Sequence, residues 1–167
     1  FESDSSKRLC ISLIAQDVYL LDLLLSELCC NNSLVYSERD DTFTLAITSD
    51  TLCNMLITHG MAIHKQNREA PLGVSDEMLP AFTRGYFDGD GCICTRSSGK
   101  CIRTDVSFCG PHKIISFIRD SLVSKLCVAN NIVRSENGTH IVRWSAKDDI
   151  ISIADYLYTH GPSVTMR

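Results

Sequence analysis

At 167 residues, of which 44% are hydrophobic, the chain is long enough for one ordinary domain or for two small halves sharing a core. A membrane span needs a run of roughly 18 apolar residues; none occurs, and Asp22 and Glu27 interrupt the most apolar stretch. A formal charge of -4 argues against a nucleic-acid partner only as an average, because eight basic residues face three acidic ones between Cys92 and Arg143.

Taken in chain order, the elements repeat. Leu9 to Ile14 alternates like a strand, an apolar helical stretch follows and ends Leu28-Cys29, and strand-like runs occupy Leu34 to Ser37 and Phe43 to Thr48. A short helix then closes on Thr58-His59-Gly60. The same order returns: Ile102 to Phe108, a helix ending Leu126-Cys127, Ile132 to Ser135, His140 to Trp144, and a helix ending Thr159-His160-Gly161. Phe1 falls where Ile93 falls in the second copy, so the sequence reads as a piece of something longer. Nine scattered cysteines read as reduced thiols, and the expected location is intracellular.

The second copy carries an extra helix in front, predicted from Asp76 or Glu77 through Phe87 and followed by Asp88-Gly89-Asp90-Gly91. Ala81, Gly85 and Gly89 recur every fourth residue, leaving a stripe almost without side chains against which another helix can pack closely. Each helical glycine costs roughly 1 kcal/mol against alanine, so close backbone contact or a cap is needed to explain two of them. Two such helices side by side would bring Asp90 against its twin. Paired carboxylates repel unless neutralised, and a divalent, oxygen-preferring cation such as Mg²⁺ neutralises them while activating water for phosphodiester cleavage. Two blander readings compete: Asp-Gly sequences are common in turns, and a calcium loop would need a closing glutamate where only Lys100 and Cys101 stand.

The stretch "FTRGYFDGDG", with the segment "HGMAIHKQNREAPLGVSDEMLPA" leading into it, resembles the LAGLIDADG homing endonucleases, especially their single-chain phage or intron-encoded type. The resemblance implies an α+β fold of two pseudo-symmetric αββαββα halves with curved antiparallel sheets. The corresponding division is residues 1–62 for a first half without its motif helix, 63–75 for a linker and 76–167 for the second half. It implies a site-specific, Mg²⁺-dependent double-strand DNA endonuclease, acting as a monomer in the cytoplasm of a bacterial (phage) host or in an organelle matrix. Asp90 and the carbonyl of Gly89 would bind metal, Lys65 and Lys147 would be the basic catalytic residues, and Ala81, Gly85 and Gly89 would form the helix interface. Alternatives of the same fold are an intein's endonuclease domain and a maturase-like or transcription-factor-like module that binds nucleic acid without cutting. The first motif helix lies outside these 167 residues, which leaves the fragment open to self-association through its small-residue stripe.

On such a scaffold the DNA contacts follow from strand alternation. Arg103, Asp105 and Ser107 share one parity, with Ile102, Thr104, Val106 and Phe108 turned to the core. Arg134, His140 and Arg143 are further candidates for the groove, although Arg143 shares its parity with the apolar Ile141. Lys7, Arg8, Arg39, Arg96 and Lys100, at strand ends, are suited to phosphates. Remaining features read as structural. His59 and His160 suit helix C-termini, Asn137-Gly138 suits a hairpin, and Cys92, Cys94, Cys101 and Cys109 lack a Cys-x₂-Cys zinc spacing.

Overall fold

A computed structural model describes residues 6–62, 64, 67–98 and 101–159. Two compact units divide the chain, the first through Thr58 and the second from His59 onward.

The second unit contains α3 (Leu79–Asp90), β4 (Gly91–Ser98), β5 (Cys101–Gly110), α4 (His112–Leu126), β6 (Arg134–Glu136), β7 (Thr139–Trp144) and α5 (Lys147–Tyr158). This is the αββαββα order. Its strands form one antiparallel sheet in the order β4-β5-β7-β6. The alternation of β5 places Val106 and Phe108 under the helices, where they join Val142 and Trp144 of β7, Ile115, Ile118 and Leu122 of α4, and Ile153 and Leu157 of α5 in one buried cluster. Trp144 is fully buried and its indole N–H donates to the Ala129 carbonyl at 2.8 Å, so the cost of burying that donor is offset. Ile102 departs from the expected inward position and is 77% exposed. Pairing of β5 with β7 starts only at Val106, so the β4–β5 ribbon carrying Ile102 projects past the edge of the core.

Helix α3 begins at Leu79, two or three residues later than the sequence suggested, because Pro80 is accommodated only in a first turn. The Ser75 carbonyl accepts the N–H groups of Met78 and Leu79 just ahead of it. At its other end the helix runs through Gly89 to Asp90, past the expected stop, and the chain turns extended at Gly91. A Cβ at Gly91 would run into the Phe87 carbonyl oxygen, a close approach that requires glycine after the acid.

In the first unit, β1 (Arg8–Ile14), α1 (Val18–Glu27), β2 (Leu34–Ser37), β3 (Thr42–Thr48) and α2 (Asp50–Thr58) follow one another, with a three-stranded sheet in the order β1-β3-β2. This repeats β5-β7-β6 of the second unit. Leu21, Leu45 and Ile47 are buried, flanked by Ile11, Leu13, Phe43 and Leu52. The two Leu-Cys helix ends share a backbone feature, since Cys29 (φ 50) and Cys127 (φ 55) are both left-handed. Asn137 and Gly138 also take positive φ, the two-residue hairpin turn that Asn-Gly favours.

Candidate nucleic-acid interface and acid-bearing cleft

One face of the four-stranded sheet is covered by helices and the other is open. Register places the side chains on it: Cys92 opposite Ser107, Cys94 opposite Asp105, Arg96 opposite Arg103, Ser107 opposite Arg143 and Arg134 opposite Ile141. Arg96, Arg103, Arg134 and Arg143 therefore share the open face, and all four are exposed. The apparent conflict between Arg143 and Ile141 disappears, because Ile141 simply lies on the polar face as well. His140 does not join them. It pairs with Gly110, on the helix side of the sheet, where its ring meets that of His112 at 4.9 Å between centroids. Asp105 has the right parity but is buried, 6% exposed, which takes it out of direct reach of a ligand on the surface. Lys100 lies outside the described residues.

The open face of the first unit is different. Ser12 and Thr44 hydroxyls hydrogen-bond across β1 and β3 at 2.7 Å, and the Arg8 Nε–H donates to the Thr48 hydroxyl at 3.3 Å. Lys7 is not turned to a ligand: its backbone N–H donates to Asp50 at 2.6 Å and its ammonium to Asn54 at 2.5 Å, both on α2. Arg39 stands in the β2–β3 turn beside Asp40, 4.0 Å away, with its side chain 93% exposed.

The two motif aspartates are separated by their surroundings. Asp88 accepts the Tyr158 hydroxyl at 2.6 Å and sits 3.6 Å from Arg84, whose guanidinium lies 5.1 Å from the centre of the Tyr158 ring. That network ties α3 to α5. Burial, and then the hydrogen bond to Asp88, push the Tyr158 hydroxyl up to about 12, so it stays a donor. Asp90, one half-turn on, lines a cleft of about 790 Å³ with Arg68, Glu69, Cys109, His112, Lys113 and Thr139 among the other walls. Its backbone carbonyl accepts the Cys109 thiol at 3.0 Å, and the Tyr86 hydroxyl donates to the Cys109 carbonyl at 3.1 Å. Burial first, and the Asp90 charge second, raise Tyr86 to about 12. A Cβ at Gly110 would meet that hydroxyl, and the residue takes a positive φ (154) that side chains other than glycine's rarely adopt.

Lys147 does not reach this cleft. It opens α5 beyond the Trp144 end of β7, whereas the cleft is walled by Thr139 and His140 at the other end, roughly 15 to 20 Å away at about 3.3 Å per strand residue. Lys65 lies outside the described residues. Ala81, Gly85 and Gly89 are all exposed, and no described atom lies within 4 Å of a Cβ built at Gly85 or Gly89. Sequence reasoning passed over Arg68 and Lys113, which line the cleft with Asp90. Lys113 sits at the first turn of α4 and is bonded to Glu69 at 2.5 Å, while the Arg68 Nε–H is buried without a hydrogen-bond partner among the described residues. The signal that could have found them is the sheet order, which brings the β5–α4 junction beside the end of the motif helix.

Comparison with known proteins is informative at the level of structure. No protein-family model and no curated protein matches the sequence. Among solved structures, the I-LtrWI LAGLIDADG homing endonuclease bound to target DNA superposes with a TM-score of 0.65 and 11% identity, covering 95% of this chain and 74% of that one. The LAGLIDADG meganuclease I-AabMI bound to uncleaved DNA gives 0.63 and 12%, over 92% and 74%. I-SmaMI bound to uncleaved DNA target in the presence of calcium ions gives 0.61 and 13%, over 92% and 73%.

Proposed function

The chain has the LAGLIDADG homing endonuclease fold, and on that premise we propose that it binds duplex DNA across the open face of its four-stranded sheet and serves site-specific phosphodiester hydrolysis through Asp90. The carrying observation is the convergence of Arg96, Arg103, Arg134 and Arg143 on one uncovered sheet face, one from each strand, while the two central strands β5 and β7 turn apolar residues to the helices on the other side. Arginine suits both tasks, since its planar fork can span guanine O6 and N7 or grip a phosphate. Ser107 adds a hydroxyl to this face, and Arg8 and Arg39 contribute at strand and turn positions of the first unit. His140 is left to the cleft, where it stands with His112.

A divalent cation fits Asp90 only as a shared guest. No group of three or more His, Cys, Asp or Glu side chains able to hold a metal occurs among the described residues. Mg²⁺ is commonly held by one or two carboxylates together with substrate phosphates, and Asp90 with the Gly89 carbonyl provides one such half. When bound, the cation supplies positive charge at the phosphate being cleaved. Arg68 and Lys113 orient backbone phosphates entering the cleft, and Tyr86, kept protonated, fixes the Cys109 wall that holds the Asp90 carbonyl. A second helix of the same kind completes the other half. Its seat is the Ala81, Gly85 and Gly89 stripe, because nothing described in this chain otherwise demands glycine at Gly85 and Gly89, at a cost of roughly 1 kcal/mol each.

The cleft's other acid, Glu69, is tied to Lys113, which leaves Asp90 without a second free carboxylate beside it among the cleft walls and favours a second reading, a DNA-binding module that does not cut. Titration of random-sequence duplex at several salt concentrations tests the binding claim: affinity should fall with a log–log slope of about -0.9 for each phosphate neutralised, and a flat response would sink it. A nicking assay in Mg²⁺ then separates the readings, with Asp90→Asn losing cleavage but keeping affinity if the enzyme reading holds.

A further inference from the structure

Asp105 is the anomaly of the DNA face. It stands at the centre of an arginine-bearing sheet, 6% exposed, and its Oδ1 is buried without a hydrogen-bond partner among the described residues. A carboxylate oxygen left this way is costly, by amounts that select against it unless a donor arrives in another state of the molecule. Burial keeps Asp105 from touching a base itself. The donors that can reach it are therefore the protein's own: Arg96 diagonally across β4, Arg103 two residues back on β5, and Arg143 diagonally across β7.

Geometry favours Arg96. Its Nε–H donates to the Cys94 thiol at 3.3 Å, and Cys94 is the residue directly opposite Asp105. That bond folds the long side chain back along β4 towards Asp105 and leaves both Nη groups for other partners. The same two neighbours, Cys94 first and Asp105 after it, hold the Arg96 guanidinium firmly charged.

We propose that Asp105 is a positioning residue for base recognition: when duplex DNA covers the sheet, its carboxylate takes one edge of the Arg96 guanidinium, and the other edge is thereby fixed bidentate on a guanine. The inference rests on the DNA-binding reading above. Excluding water from the face strengthens the Asp105–Arg96 attraction at the moment of docking, and a guanidinium gripped from behind has fewer orientations in which to meet a wrong base. Asp105 acts through Arg96 and makes no contact with DNA.

Selection from a duplex pool randomised along the binding site, carried out with the whole chain, tests this. The parent should enrich guanine at a particular position, and Arg96→Gln and Asp105→Asn should each lose about tenfold of that preference at the same position, the double variant losing no more. Thermal unfolding of Asp105→Asn should be unchanged or slightly raised, since a buried carboxylate oxygen without a hydrogen bond has been replaced by an amide. Retention by Asp105→Asn of the guanine that Arg96→Gln loses overturns the proposal, as does an even loss of selectivity at every position. Should Asp105→Asn fail to fold, side-chain ¹⁵N spectra of the parent decide: duplex should slow rotation of the Arg96 guanidinium, and an Arg96 that stays mobile on DNA overturns the idea. No salt-sensitive binding of any duplex by the parent would instead remove the DNA-binding reading, a separate failure.

Discussion

The two units repeat one another in topology and differ in what they show to solvent. Both build a sheet with the order of β1-β3-β2 or its counterpart β5-β7-β6, and both end their long helix on a left-handed cysteine. Yet the open face of the second unit carries four arginines, and that of the first a hydroxyl ladder with Arg8 alone. The buried positions decide the fold, and they are alike because each sheet must seat its helices on alternating apolar residues. The open positions carry no such packing demand, so they are free to diverge. The likeness of Cys29 and Cys127 is a backbone requirement, whereas the unlikeness of Thr44 and Arg143, on the open faces of the matching strands β3 and β7, is a chemical choice.

The largest effect should come from the acid. Asp90→Asn is expected to reduce cleavage to background in a plasmid assay while leaving duplex affinity within about twofold; cleavage at the parental rate would detach the motif from the chemistry. Asp88→Asn should behave differently, keeping the cleft but loosening α3 from α5 by about 1 to 3 kcal/mol, read as a lower midpoint in urea.

Next in size is the contrast between the faces. Replacing Arg96, Arg103, Arg134 and Arg143 together by glutamine should weaken duplex binding by about 100-fold or more at moderate salt and make the salt slope shallower by about 3 to 4. Arg8→Gln should change affinity by no more than about threefold. Equal losses would erase the distinction between the units.

A pH effect of intermediate size belongs to the second unit. Tyr86 and Tyr158 titrate near 12 in the folded protein, above the ordinary value of 10.0. The folded state thus holds these protons more tightly than the unfolded chain does. Their stabilisation is complete below pH 10 and is lost as pH rises through 12. The melting temperature should fall across that window, and Tyr158→Phe should make the fall less steep.

Smallest is a change at the shared helix end. Cys127→Gly relieves a left-handed residue whose N–H already closes on the Val123 carbonyl at 3.1 Å, and should raise stability by up to about 1 kcal/mol in chemical denaturation.

Much of the fold was legible because burial imposes periodicity. The strand at Leu34 to Ser37 and the hairpin at Asn137-Gly138 stand where alternation and turn chemistry put them. What escaped is what depends on the third dimension. Alternation along β5 alone could not tell that β7 stops short of Ile102, nor that Asp105 would be enclosed by its neighbours. The acid in the cleft was readable from the motif, but Arg68 and Lys113 are distant in sequence from Asp90 and share no pattern with it. Lys147 opens α5 and does not line the cleft that holds Asp90, a placement that its position in the sequence could not show.

Thiol labelling with and without duplex DNA tests the central claim most directly, because exposed cysteines mark the surfaces in question. Cys92 lies on the arginine-bearing face, and Cys127 lies off it at the end of α4. If that face is the DNA interface, saturating duplex should slow modification of Cys92 by at least about tenfold and leave Cys127 unchanged. Equal rates at Cys92 with and without bound DNA would contradict it.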